Sequence, residues 1–336
     1  MPQRLQALLS AGGDVDYTDE DGWTALHYAA MVGSPQGDLN LWTRGPGCFP
    51  LSLAANSGKQ ATVAMLALET GIRLDQVDAH NRTALHKAAL RGHSSCVRSL
   101  IDAGADANAC DSLNNAGYAL SMAIESGSLA TVEAMLCAPR IIIHYMDRYD
   151  RTPLHQASAH KGDIYCKIVA ALLKAGSHVN ATDGDGDAAL HNAVSYSTES
   201  TVATFLAAPD VDLFLKNEAG MTVLDVAVRG MDLGVLKLIL KKCKRFGKES
   251  VHGETALGGA TTGLWVEGCE ALGEAGAPLR VSHLDKVSAQ REDFLKDSRP
   301  DLRLVKTRGE MGLKYDQMVH YLESQVTERS NPKMPC

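Results

Sequence analysis

The sequence predicts an all-α fold: a stack of repeated helix-turn-helix units joined by short β-hairpin-like loops, with a helical C-terminal extension. Three observations predict it. A leucine at the head of a short apolar motif returns at Leu26, Leu51, Leu85, Leu120, Leu154, Leu190, Leu224 and Leu257. From Leu51 onward the intervals are 34, 35, 34, 36, 34 and 33 residues, and a fixed period of that size marks stacked supersecondary units. Aromatic residues are only 5 % of the chain, which suits thin layers of Ala and Leu better than one large core.

Residues Asn81 to Asp111 show one unit complete. Thr83-Ala84-Leu85-His86 opens a short helix with small residues at Ala88 and Ala89. The Thr83 hydroxyl can cap it, since the first N–H groups of a helix have no internal partner. Gly92 breaks the chain, and a second helix carries Val97, Leu100 and Ile101 at i, i+3 and i+4, one apolar stripe on a polar helix. Gly104 fits the left-handed stop that helices often use. Two helices this short cannot bury their own apolar faces, so the unit is stable only when stacked on copies of itself.

This unit resembles an ankyrin repeat, whose motif T-P-L-H-x-A is matched over its first four residues by Thr152-Pro153-Leu154-His155. The resemblance implies an ankyrin solenoid with partner proteins on its concave face. It also implies that His27, His86, His155 and His191, which follow their motif leucines, link neighbouring loops through backbone hydrogen bonds. One such histidine per repeat cannot converge on a single metal ion.

In chain order, Leu5, Leu8, Leu9, Gly12, Asp14, Val15 and Asp16 match a second helix and exit strand with no first helix before them. Asp19, Gly22, Thr24-Ala25-Leu26-His27, Ala29, Ala30 and Gly33 then stand in their expected places. The pattern fails from Ser34 to Phe49, a stretch broken by Pro35, Gly37, Gly45, Pro46 and Gly47. Leu26 to Leu51 is 25 residues, so about one helix is missing there, and this segment is expected to be irregular and mobile. The later motifs read Tyr118-Ala119-Leu120-Ser121, Ala188-Ala189-Leu190-His191, Thr222-Val223-Leu224-Asp225 and Thr255-Ala256-Leu257-Gly258. Gly258, Gly259 and Gly263 are expected to weaken the last first helix. Past Gly276 the period is lost, with a polar helix expected over Asp285 to Asp297 and a second carrying Tyr315, Val319, Leu322 and Val326. The chain thus reads as a repeat array over residues 1–279, irregular at 34–49, and a helical extension with a frayed tail over 280–336.

A formal charge of −7 and a pI near 5.9 disfavour nucleic-acid binding, which needs a basic footprint. No run of about 18 apolar residues is present, and the apolar run in MPQRLQALLSAGGDVD is too short for a signal peptide, so no membrane insertion is expected. Eight scattered cysteines without a C-x-x-C pair read as reduced thiols and point to the cytoplasm. Without a secretory signal, Asn81-Arg82-Thr83 and Asn180-Ala181-Thr182 are chance matches to the glycosylation pattern. Lys241-Lys242-Cys243-Lys244-Arg245 resembles a nuclear-import signal, although cations also suit the end of a helix over Leu233 to Leu240.

Asp183, Asp185 and Asp187 mimic the first ligands of a calcium loop, but Val194 stands where its bidentate Glu belongs, so they read as a hairpin tip turning at Gly186. GGATTG lacks the Lys of a phosphate loop, and neither G-x-S-x-G nor H-E-x-x-H occurs. No cofactor or metal site is expected. The leading function is therefore a non-enzymatic protein-binding scaffold, expected to be monomeric. Two alternatives stand beside it. The extension from Val281 to Cys336 or the 34–49 loop would carry or complete catalysis, against which the 56-residue size of the extension argues. Otherwise the chain is the adaptor or substrate-recruiting part of a larger protein or complex whose effector lies outside it.

Counting from each motif leucine places candidate contact residues at hairpin tips and on the exposed face of first helices. Around Leu26, Leu190 and Leu224 these are mostly acidic, including Glu20, Asp21, Asp185, Asp187 and Glu218. Around Leu85 and Leu154 the sign changes: the tips carry His80, Arg82, Arg148, Tyr149 and Arg151, and the helices are expected to expose Lys87, Arg91 and Gln156. Arg and Tyr anchor interfaces, so an acidic peptide or loop is the expected partner.

Overall fold

In the computed structural model, residues 49–69, 71–111, 117–243, 251–296 and 305–330 are described. The expectations for Leu5 to Leu9, for the motif at Leu26 and His27, for 34–48, for Lys244 and Arg245 and for the 331–336 tail lie outside them. The chain divides into two compact units, Met1–Gly184 and Asp185–Cys336.

In the N-terminal unit, motif helices α1 (Pro50–Asn56), α3 (Ala84–Leu90), α5 (Ala119–Glu125) and α7 (Pro153–Ser158) stack one on the next. Their partners α2 (Gln60–Leu68), α4 (Ser94–Asp102), α6 (Leu129–Leu136) and α8 (Asp163–Lys174) form a second layer. The core lies between the layers. It takes Leu51, Leu85, Leu120 and Leu154 from the first helices and Leu66, Leu100, Met135 and Leu172 from the second, all buried. Each helix is too short to persist alone, so burial of these stripes against neighbouring units supplies the stability that propensity does not. The local signals act as expected. The Thr83 hydroxyl accepts the His86 N–H at 3.4 Å, and Gly104, just past the end of α4, adopts φ 95°.

In the C-terminal unit α9 (Ala189–Tyr196), α11 (Val223–Gly230) and α13 (Val251–Thr262) form the first layer, and α10 (Glu199–Ala207), α12 (Leu233–Cys243) and α14 (Val266–Glu274) the second. The glycines expected to weaken this helix lie within it: α13 starts before Thr255 and runs through Gly258 and Gly259. The reason is packing. A Cβ on Gly259 would sit 3.3 Å from Val228 Cγ1, so the absent side chain lets α13 approach α11 closely.

The helices past residue 280 continue the same layers. α15 (Val281–Lys296) packs on α13, and α16 (Val305–Ser330) packs on α15 and α14, burying Val287, Met318 and Leu322. At the head of α15 the Arg280 N–H donates to His283 Nδ1 at 3.1 Å, with His283 3 % exposed. Thr83 and His86 make the same bond at the head of α3. A repeat-like start is thus present where Ser282 has replaced the motif leucine. Arg291 and Asp316 pair across α15 and α16 at 2.7 Å, but both are exposed and the pair contributes little, about 0–1 kcal/mol. Among the described residues no helix is long and apolar enough to cross a membrane.

Candidate protein-binding site

The hairpins that precede α3 and α7 are built alike, each around one buried carboxylate. Asp78 Oδ1 accepts the amide N–H groups of His80 at 2.8 Å and Arg82 at 3.0 Å. Asp147 Oδ1 accepts those of Tyr149 at 2.8 Å and Arg151 at 3.0 Å. The tip turns through left-handed Asn81 (φ 60°) and Asp150 (φ 57°), residue types that tolerate that conformation. Each Oδ2 then takes a cation. Arg82 Nε lies 3.6 Å and Lys87 Nζ 3.1 Å from Asp78 Oδ2, while Asp147 Oδ2 accepts Arg151 Nε at 2.9 Å and pairs with its Nη2 at 2.8 Å. Burial raises both carboxyls, but the amide donors and the cations outweigh it, and both are held below the ordinary 3.8.

Lys87 is therefore not the exposed contact residue expected of it. It is 8 % exposed, and its ammonium also donates to Ser52 Oγ on α1 at 2.9 Å. The fourth position of α3 faces back to the hairpin of its own repeat, so the side chain ties α1, α3 and the hairpin together. Arg82 is also engaged with Asp78, with its side chain 28 % exposed. His80 and Arg91 are exposed, Arg91 Nε donating to Asn56 Oδ1 at 3.3 Å.

The second group is better organised. Tyr149 is 50 % exposed, with the guanidinium carbon of Arg148 4.7 Å and that of Arg151 4.9 Å from its ring centroid. The Tyr149 carbonyl accepts the Gly184 N–H at 2.9 Å, which fixes the tip from outside. Arg148 is exposed, Arg151 is committed to Asp147, and Gln156 on α7 is half-buried. The eight residues thus fall into two groups, His80 to Arg91 about α3 and Arg148 to Gln156 about α7, with the α5 layer between them.

Beside the second group runs a groove of about 500 Å³, whose walls include Asp111, Met122, Glu125, Arg151, Gln156 and His160. Sequence reading did not single out Asp78, Asp111 or Asp147. The available signal was the Asp-x-x-x-Arg spacing shared by Asp78 with Arg82 and Asp147 with Arg151, 69 residues apart and so two periods.

His86 performs the inter-repeat link. Its Nδ1 accepts the Thr83 N–H at 3.1 Å, which leaves the proton on Nε2, and Nε2 donates to the Gly117 carbonyl at 2.8 Å. His191 Nδ1 accepts the Ala188 N–H at 3.1 Å, but its buried Nε2 finds no acceptor among the described residues. Burial lowers the His86 imidazole below its ordinary 6.5, against the raising effect of the Gly117 carbonyl and nearby carboxylates. A depressed folded pKa means the unfolded chain takes the proton first. The stability from neutral His86 is therefore complete above pH 6.5 and is lost as pH falls from there through the folded value. NMR titration of the ring should give a midpoint below 6.5, and one above it would contradict this account.

Among the described residues no group of three or more His, Cys, Asp or Glu could hold a metal ion. Asp187 is instead a strut of its hairpin, accepting Asn217 Nδ2 at 2.8 Å, and Gly186 makes the turn at φ 73°. Lys241 and Lys242 occupy the last turn of α12, where cations complement the exposed carbonyls.

A sequence model described as ankyrin repeats (3 copies) matches residues 35–111 and 92–183, and a second, ankyrin repeats (many copies), matches 2–36. The ankyrin repeat and KH domain-containing protein mask-1 of Caenorhabditis elegans is 26 % identical over 255 residues, 72 % of this chain and 9 % of that protein. The NF-kappa-B inhibitor zeta of Bos taurus is 25 % identical over 246 residues, 67 % of this chain and 33 % of that one. The transient receptor potential cation channel subfamily A member 1 of Drosophila melanogaster is 33 % identical over 129 residues, 36 % of this chain and 10 % of that one. The chain thus spans a third or less of these relatives' length. Among solved structures, the ankyrin repeat domain of Bcl-3 superposes with a TM-score of 0.55 at 26 % identity, covering 66 % of this chain and 99 % of that domain. Motif, layered helix pairs, capping histidines and both kinds of likeness agree: the fold is an all-α ankyrin solenoid, and the chain belongs to the ankyrin-repeat family.

Proposed function

We propose that the chain is a non-enzymatic protein-interaction scaffold that binds an acidic peptide or loop of a partner at the hairpin tip before α7. The supporting observation is the half-exposed Tyr149 ring with the guanidinium groups of both Arg148 and Arg151 stacked over it. A tyrosine immobilised before binding loses little entropy on contact, and Arg beside Tyr is the composition of interface anchors. Arg148 supplies the free charge. Arg151 orients the ring, since its own charge is answered by Asp147. Gln156 lies at the edge of the contact, and His80, Arg82 and Arg91 form a separate, outlying surface for a longer partner.

Truncating Arg151 would also break the pair with Asp147, so the test uses Arg148→Ala and Tyr149→Ala. Each is expected to weaken partner binding by about 1–3 kcal/mol, with the on-rate of the parent falling at high salt. Affinity capture by the full chain, followed by mass spectrometry, reads the outcome. If the double variant, still folded by circular dichroism, captures the same partners in the same yield, the site is elsewhere.

A further inference from the structure

The hairpin between α4 and α5 holds a buried carboxylate oxygen that has no partner among the described residues. In four hairpins an acidic or amide residue donates its amide N–H to the carbonyl that closes the loop: Asp78 to Arg82 at 3.0 Å, Asp147 to Arg151 at 3.0 Å, Asn217 to Met221 at 3.0 Å and Asp111 to Gly117 at 3.1 Å. At Asp78 and Asp147 the closing residue is an arginine that pairs with the carboxylate, whereas Asp183, whose hairpin closes on Asp187, is only half-buried and lies within reach of water. Where the first residue is the neutral Asn217, the closing residue is Met221. Asp111 is buried as Asp78 and Asp147 are, but lacks their arginine. It is a carboxylate whose closing residue is Gly117, and the helix position from which Lys87 reaches Asp78 is here Met122. Residues 112–116, Ser-Leu-Asn-Asn-Ala, contain no cation.

Asp111 is 9 % exposed, and its Oδ1 is buried with no hydrogen-bond partner among the described residues. Such an atom costs about as much as a lost hydrogen bond to a charged group unless something supplies a donor. Position 117 cannot supply it, because a Cβ there would overlap the Asp111 carboxylate. The carboxylate instead forms part of the wall of the groove, with Gly117, Met122 and Glu125. That wall combines apolar surface for an aliphatic stem with a second carboxylate for the charged end, and Arg151, which also lines the groove, is paired with Asp147.

We propose that this groove is a receptor for one arginine side chain of a partner protein, whose guanidinium pairs with Asp111 as Arg82 pairs with Asp78 and Arg151 with Asp147. A planar fork matches a carboxylate better than an ammonium does, which favours arginine over lysine. The inference rests on the reading of the chain as a protein binder, and adds that the bound segment carries an arginine near its acidic residues.

The test is selection from a random-peptide display library on the full chain, on Asp111→Asn, on Met122→Lys and on the Arg148→Ala, Tyr149→Ala double variant. Met122→Lys places an ammonium where Lys87 stands in the sibling repeat and fills the site from within. The parent is expected to enrich peptides sharing one fixed arginine. Replacing that arginine by alanine should weaken binding by roughly thirtyfold or more, as should Asp111→Asn or Met122→Lys in the protein. Met122→Lys should also melt no lower than the parent, which separates a filled site from a damaged fold. Enriched peptides with no fixed arginine, with lysine in its place, or with affinity unmoved by Asp111→Asn and Met122→Lys would overturn the inference. If those two variants bind as the parent does while the double variant loses binding, the tip site stands and the groove site falls. Enrichment of no peptide by the parent overturns both.

Discussion

Asp78→Ala is expected to destabilise the N-terminal unit by about 3–5 kcal/mol, because it removes one half of a buried charge pair and leaves the other half behind. The Asp78 side chain is 2 % exposed and that of Lys87 9 %, with 3.1 Å between Nζ and Oδ2. Without Asp78 the Lys87 ammonium keeps only the Ser52 hydroxyl among these contacts, and the amide N–H groups of His80 and Arg82 lose their shared acceptor. Replacing the pair together, as Asp78→Asn with Lys87→Met, should cost far less. Asn retains an acceptor for the two amides, and Met fills the volume without an ion to desolvate. Urea unfolding followed by circular dichroism measures both. A loss below about 1 kcal/mol for Asp78→Ala, with the slope unchanged, would mean that water already serves Lys87 and that the hairpin is looser than its bonds imply.

What the sequence reveals and what it hides divides along a physical line. Leu85, Thr83, Ala88 and Gly104 act within one unit, through helix period, capping and backbone conformation, and each does what its position predicts. Lys87 does not. Helical counting assigns it to an exposed face, whereas its contacts are Asp78, nine residues earlier, and Ser52, one repeat earlier. The same applies to Gly259, which reads only as a weak point of its helix until Val228 of the neighbouring helix is seen against it. His283 was hidden for another reason. The leucine that flags every other motif is Ser282 here, and only the histidine and its bond to the Arg280 N–H survive. Of the candidate site, Arg148, Tyr149 and Arg151 were legible as surface composition. The carboxylates that fix or leave open each hairpin were not, because pairing within a loop shows only when loops of different repeats are laid side by side.

Leu85→Ala should cost about 2–5 kcal/mol, the range for deleting most of a buried leucine. Leu85 is 1 % exposed, in a helix that packs on α1, α4 and α5, so its removal opens a void faced by three elements. The surroundings are poorly able to collapse into it. Ala84, Ala88 and Ala89 in the same helix are buried and already as small as a side-chain-bearing residue can be, and Thr83 and His86 are held by the bonds at the head of the helix. The loss should therefore fall in the upper half of the range. His86 adds a second consequence. It stands next to Leu85 and carries the bond to Gly117, so a shift of α3 into the void would lengthen that link and weaken coupling to the α5 repeat. Amide exchange at the Gly117 end of that hairpin should then rise together with exchange in α3. A cost below half a kilocalorie per mole would place Leu85 outside the core. A cost in the expected range with exchange raised in α3 alone would show that neighbouring repeats are held by the leucine layer and not by the histidine link.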